Sequence, residues 1–332
     1  MDSQAPLTPR PLGQLPSTRR VMTTEELRAH GVPPAETATR CRPGGGWRTL
    51  LPGVHLLHHG EPTGEDRLRA ALLYAAGPLS HQTRQPRAMI TGLAALAVHR
   101  LPAGPTLRGL DAIDVLVHGT PPVASAPGAR VVGAAQPPEP VHLAGVPLAP
   151  VPRALADALA RLADPASVRR LLVAAVRAGH CEPAEVLQEL AAARLLGRPP
   201  VAESVAALVA EGRTLAEERL YALVAAQALP DPYWNVDLCL PTGPLLGAVD
   251  AYWPDQAVAV ELDLASLPAG AAPVVRVEPL GKRELLERLG ITLLRFSAER
   301  LRSPRECAAR VRAAFAASLG REPAVRPRVL PR

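Results

Sequence analysis

Two stretches in the last third of the chain, "LLGAVDAYWP" (residues 245–254) and "AVAVELDL" (257–264), are almost unbroken runs of apolar side chains. A strand covered on one face alternates apolar with polar residues, whereas a strand covered on both faces does not. The pair therefore predicts neighbouring central strands of a sheet with helices on each side. Asp250, Glu261 and Asp263 interrupt these runs and fall at strand ends. "WNVDLCLP" (234–241) alternates, as an edge strand with one buried face does. Upstream, Leu215, Leu220, Leu223 and Val224 recur at helical spacing and predict a helix over 215–228. Downstream, "GKRELLERLG" predicts an amphipathic helix stopped at Gly290. "ITLLRFS" is a last strand, and Ser303 and Pro304 open a final helix. The fold class this defines is α/β (α+β, multidomain), with a mixed sheet flanked by helices at the C-terminal end.

At 332 residues and 48% apolar content the chain has material for two or three cored domains. Lys282 is the only lysine among 37 basic residues, and the net charge of +6 is compatible with a nucleic-acid partner. Cys41, Cys181, Cys239 and Cys307 are scattered without a CxxC pair or a histidine at ligand spacing. That argues against a disulfide framework or a zinc ribbon and for a reducing, cytoplasmic setting. The histidines, His58 and His59 among them, form no strong ligand motif. No apolar run reaches the roughly 18 residues a membrane span needs, so no membrane partner is expected.

Residues 1–20 and 320–332 are rich in Pro and Arg and read as disordered tails. Between them, "TTEEL" carries an N-cap with acids in the first turn, and Gly31 with Pro33 ends that short helix. A second short helix follows from about Pro34 to Arg42. After a "GGG" turn, "WRTLLPGVHLL" gives two β segments bent at Pro52 and Gly53. Helix, turn, helix and hairpin over 21–60 is the order of a small winged helix. Arg40, Arg42 and Arg48 are the residues such a module presents to phosphates or base edges. Residues 61–180 alternate helices with short β segments, including "DAIDVLVHG" (111–119), and form a middle domain. Two helices over 181–213, split at "GRPPVAES", read as a connector to the last domain at 214–319.

The segment 23–101, with "LLPGVHLLHHGEPTGEDRLRAALLYAAG" followed by "MITGLAALAVHRL", resembles the N-terminal part of AbiEi-type abortive-infection antitoxins. The resemblance implies a DNA-binding transcriptional regulator with a cognate toxin as partner. Residues 214–318 resemble the restriction-endonuclease-like domain of very-short-patch-repair endonucleases. The carrying residues are Thr214 and Glu217, Gly247 and Asp250 with Trp253-Pro254, Glu261 with Asp263, and Leu289-Gly290-Ile291 leading into Leu294-Arg295-Phe296.

This second resemblance implies Mg²⁺ held by Asp250, Glu261 and Glu217, with Asp263 as ligand or water orienter and Lys282 as transition-state stabiliser. A hard cation prefers several oxygen ligands, which paired strand-end carboxylates supply. The chain departs from the pattern in having no histidine after His180, and "LASLPAGAAPVVRVEPLG" (264–281) stands where a polar stretch is usual. A carboxylate within "VAVELDL" is costly to bury alone, and Arg295 is available to pair with Glu261. Three readings follow: a DNA-binding regulator whose nuclease-like domain is degenerate, a Mg²⁺-dependent endonuclease targeted by its winged helix, and a protein-binding partner of a toxin.

Overall fold

The computed structural model describes residues 20–77, 88–241, 243–263, 281–319 and 325–332. The expected N-terminal tail, up to residue 19, and nearly all of the Ala- and Pro-rich stretch 264–281 lie outside the described residues. The chain is a mixed α/β protein of two compact units, Met1–Leu162 and Ala163–Arg332.

The first unit opens with β1 (Val21–Thr23), α1 (Thr24–Ala29), α2 (Pro34–Arg40), β2 (Arg48–Leu51) and β3 (Val54–Leu56). The strands form an antiparallel sheet in the order β1-β3-β2. Thr23 caps α1 reciprocally: its hydroxyl accepts from the Glu26 N–H at 3.0 Å, and Glu26 accepts from the Thr23 N–H at 2.9 Å. Met22, Leu27 and Val32 are buried beneath the two helices, with Trp47 and Leu57 packed against them. Strand β1, which completes this sheet, is not resolved from the helix start in the sequence, because three residues are too few to show a period.

There follow α3 (Gly64–Ala76), β4 (Met89–Thr91), α4 (Gly92–Val98), β5 (Ile113–His118), β6 (Ala129–Ala134), β7 (Val141–Leu143), β8 (Val146–Leu148) and α5 (Val151–Leu159). The mixed sheet runs β6-β5-β4-β8-β7. Strand β5, buried along five of its six residues, is the strand that "DAIDVLVHG" predicts.

The second unit contains α6 (Pro165–Arg177), α7 (Pro183–Ala192), α8 (Pro199–Ala226), β9 (Tyr233–Cys239), β10 (Leu245–Trp253), β11 (Val258–Asp263), α9 (Lys282–Arg288), β12 (Thr292–Ser297), α10 (Pro304–Ser318) and β13 (Arg328–Pro331). Its sheet runs β12-β11-β10-β9-β13, with β11 and β12 parallel and the other pairs antiparallel. The two apolar runs are its inner strands. On β11, Val258, Val260 and Leu262 face a core built with α8 and α10, around Leu220, Leu223, Trp253, Phe296 and Val311. Ala259 faces a second core with Leu286 of α9, Leu293 and Tyr252. Each large side chain buried in these cores contributes about 1.5–3 kcal/mol.

Four expectations need correction. Residues 199–226 are one helix of 28 residues, where the sequence reading ends a connector helix near 213 and starts another at 215. Inside it, the missing side chain of Gly212 admits a neighbour: a Cβ there would stand 2.4 Å from Pro183 Cγ. The units divide after Leu162 rather than after residue 180, since α6 packs along α8 and shares its unit. Strand β9 is interior and not an edge, because β13 covers it. That same pairing, Arg328 opposite Cys239 through Pro331 opposite Val236, gives residues 328–331 of the expected tail an ordered place. Backbone hydrogen bonds supply what the Pro- and Arg-rich composition does not advertise.

Candidate functional site: carboxylates and cations beside the C-terminal sheet

Alternation along β11 turns Glu261 away from Val260 and Leu262 and toward the α9 side of the sheet, where Lys282 begins the helix. Lys282 Nζ lies 3.1 Å from Glu261 Oε1 and donates to the Ala248 carbonyl at 2.6 Å. The ammonium is nearly enclosed, at 7% side-chain exposure. Desolvating a lysine this far costs several kcal/mol unless a counter-charge and hydrogen bonds replace its water, and Glu261 and Ala248 do so. Room for its stem comes from Gly247, whose backbone has φ +140° beside a register shift in β10. A Cβ there would meet Lys282 Cδ and Cε at 2.9 Å.

The other Glu261 oxygen accepts from Arg295 Nε at 3.3 Å. The parallel register of β11 and β12 sets those two residues opposite one another. Asp250 is 5% exposed and uses both oxygens. Oδ2 accepts from the Leu262 N–H at 2.7 Å, and Oδ1 accepts from Arg213 Nη2 at 2.7 Å. Arg213 also reaches one turn along α8, with Nε 2.8 Å from Glu217 Oε1. Asp263, the last residue of β11, stands opposite Ser297 on β12.

The structure thus sets these residues in two groups of ion pairs, Arg213 with Asp250 and Glu217, and Lys282 and Arg295 with Glu261, so that three cations stand against three carboxylates. Mg²⁺ requires near-octahedral oxygen donors at about 2.1 Å. Both oxygens of Asp250 and both of Glu261 already accept from protein donors, and among the described residues no group of three His, Cys, Asp or Glu side chains is arranged to hold a metal. This arrangement does not fit the ion that the sequence resemblance implies. The residue that sequence reasoning missed is Arg213. Its spacing of four from Glu217 signals an ion pair along the helix, but its bond to Asp250, 37 residues on, is a product of the fold.

The arginines expected to meet DNA lie in the first unit. The Trp47 N–H donates to the Arg40 carbonyl at 3.0 Å, and the Gly45 N–H to the Arg42 carbonyl at 2.8 Å. These bonds close residues 40–47 into one turn that starts at Arg40, carries Arg42 and is followed by Arg48 at the start of β2. Arg40 pairs with Glu36 at 2.8 Å and lies over the Trp47 ring. Arg48 pairs with Glu61 at 3.0 Å, and Arg42 is exposed. Behind the turn, buried His55 is within 3.4 Å of Cys41 Sγ, 3.2 Å of the Thr49 hydroxyl and 2.9 Å of the Thr24 hydroxyl; burial lowers its pKa below the usual 6.5. Cys41 and His55 are fourteen residues apart, so a scan for ligand spacing passes over them.

A third polar group in the same unit is Asp114 on β5, 7% exposed, with Arg130 Nε 2.7 Å away. The two form a close, largely buried ion pair. Burial raises the Asp114 pKa, and Arg130 and then Arg161 oppose that rise.

The fold and these sites define a two-unit α/β protein with a small helix-and-hairpin module in its first unit and a helix-flanked sheet in its second. Comparison of the chain with protein-family models, curated proteins and solved structures finds no match. Among the described residues, no helix is long and apolar enough to cross a membrane.

Proposed function

We propose that the protein is a DNA-binding regulator that contacts DNA through the 40–48 turn of its N-terminal module, and that its C-terminal unit is a non-catalytic relative of a nuclease fold. The observation that carries the first part is that Arg40, Arg42 and Arg48 lie at and between the ends of one hydrogen-bonded turn that follows α2 and leads into the β2–β3 hairpin. Residues 20–57 hold five arginines against three glutamates, a modest positive excess suited to phosphate contact. Two of the three arginines already hold glutamates, so Arg42 carries the larger share of the contact. The element order α8-β9-β10-β11-α9-β12 supports the nuclease-like reading of the second unit, and its closed ion pairs support loss of catalysis.

The test is binding of the full chain to a labelled duplex taken from upstream of its own reading frame, measured by fluorescence anisotropy over a range of salt. Expected is affinity that falls with salt, with Arg42→Ala weakening it across sequences and reducing the salt slope by about one. Binding that is absent or indifferent to salt refutes the DNA reading and favours a protein partner such as a toxin. In a parallel plasmid assay with Mg²⁺ or Mn²⁺, nicking that disappears in Asp250→Ala/Glu261→Ala overturns the non-catalytic assignment and restores the endonuclease reading.

A further inference from the structure

We infer that Arg213 occupies the place of a divalent cation, so that its guanidinium balances Asp250 and Glu217 and keeps metal out of the site. The inference rests on the reading of the C-terminal unit as non-catalytic and adds the residue responsible. One guanidinium spans two carboxylates from different elements, reaching Glu217 on its own helix at 2.8 Å and Asp250 on β10 at 2.7 Å. Bridging carboxylates and neutralising their repulsion is the electrostatic work a bound Mg²⁺ would do. Arginine does this permanently, because its guanidinium does not lose its proton in the accessible pH range.

The geometry also makes the exchange reversible by mutation. Asp250 is enclosed, whereas the Arg213 side chain is 41% exposed. Removing the guanidinium therefore leaves two acids facing a space open to solvent, which a hydrated cation can enter. Lys282 and Arg295 each pair with Glu261.

The test uses the full chain with Mn²⁺ alone as probe, in three forms: parent, Arg213→Ala, and Arg213→Ala/Asp250→Asn. Binding is read from loss of the free-ion signal in electron paramagnetic resonance, and stability from thermal melting. Expected is that Arg213→Ala binds one Mn²⁺ at least about tenfold more tightly than the parent. Its melting temperature should fall by about 5 °C, because an enclosed acid has lost its partner, and Mn²⁺ should restore much of that loss. The double variant should lose the Mn²⁺ binding. Arg213→Met keeps the apolar stem packed and serves the same comparison where the alanine variant does not fold. Equal Mn²⁺ affinity in parent and single variant, or binding that survives Asp250→Asn, overturns the inference. DNA binding plays no part in this readout, so failure of the regulatory proposal and failure of the cation replacement are separately visible.

Discussion

Replacing Lys282 by Met tests whether the C-terminal charge network is a structural device. Methionine retains an unbranched apolar stem of similar length, so packing against Gly247 is largely preserved and the charge is what is lost. Among the described residues, the contact with Glu261 at 3.1 Å and the hydrogen bond to the Ala248 carbonyl at 2.6 Å are lost. Breaking a buried pair from one side costs about 3–5 kcal/mol, because the other charge stays enclosed. Here Glu261 keeps Arg295 and is 15% exposed, which reduces the penalty. Relief from burying the ammonium offsets part of the remainder, leaving a net loss of about 2 kcal/mol. For a unit of this size that corresponds to a fall of roughly 4–8 °C in melting temperature.

The measurement is urea unfolding of the full chain followed by tryptophan fluorescence in a Trp47→Phe background, so that Trp234 and Trp253 report on the C-terminal unit alone. Adding Glu261→Gln removes the stranded charge, so the double variant should lose less than the two single losses combined, with a coupling of about 1 kcal/mol. A Lys282→Met variant within about 0.5 kcal/mol of the parent, or strictly additive losses, refutes the reasoning.

Gly212→Ala should destabilise, although alanine gains about 1 kcal/mol over glycine in an open helix. The new Cβ meets the rigid Pro183 ring at 2.4 Å, and overpacking of this kind costs about 1–3 kcal/mol. Thermal melting of Gly212→Ala in a Pro183→Ala background should show the loss abolished, and a stabilised Gly212→Ala in the parent chain would contradict the contact. His55 has its folded pKa depressed below the unfolded 6.5, so its contribution to stability is present above that pH and is lost as pH falls through the folded pKa. Melting of the N-terminal module, followed at Trp47, should weaken on acidification below about pH 6.5 by no more than about 1.4 kcal/mol per pH unit from this group. His55→Gln should flatten that dependence, and an unchanged profile would assign the acid sensitivity to other groups.

The sequence by itself determined the elements whose signals are local. The unbroken apolar runs mark β10 and β11, the alternation along 234–241 marks β9, and Thr23 with Glu26 marks the start of α1. Each rests on periodicity or on a capping bond within a few residues. What only the tertiary structure decided depends on partners far along the chain. Strand β9 is interior because residues 328–331 pair with it, and Pro183 packs against Gly212 within the unbroken helix α8. Asp250, Glu261 and Glu217 could be picked out as acids in the apolar runs and on the leading helix, but the first two lie inside β10 and β11 rather than at their expected ends, and the sequence could not state what they face. Carboxylates at such positions suit a metal or a guanidinium equally well, since both answer the same need to offset buried negative charge. The fold set Arg213 against Asp250 and Glu217, and Lys282 and Arg295 against Glu261, which no local pattern in the sequence announces.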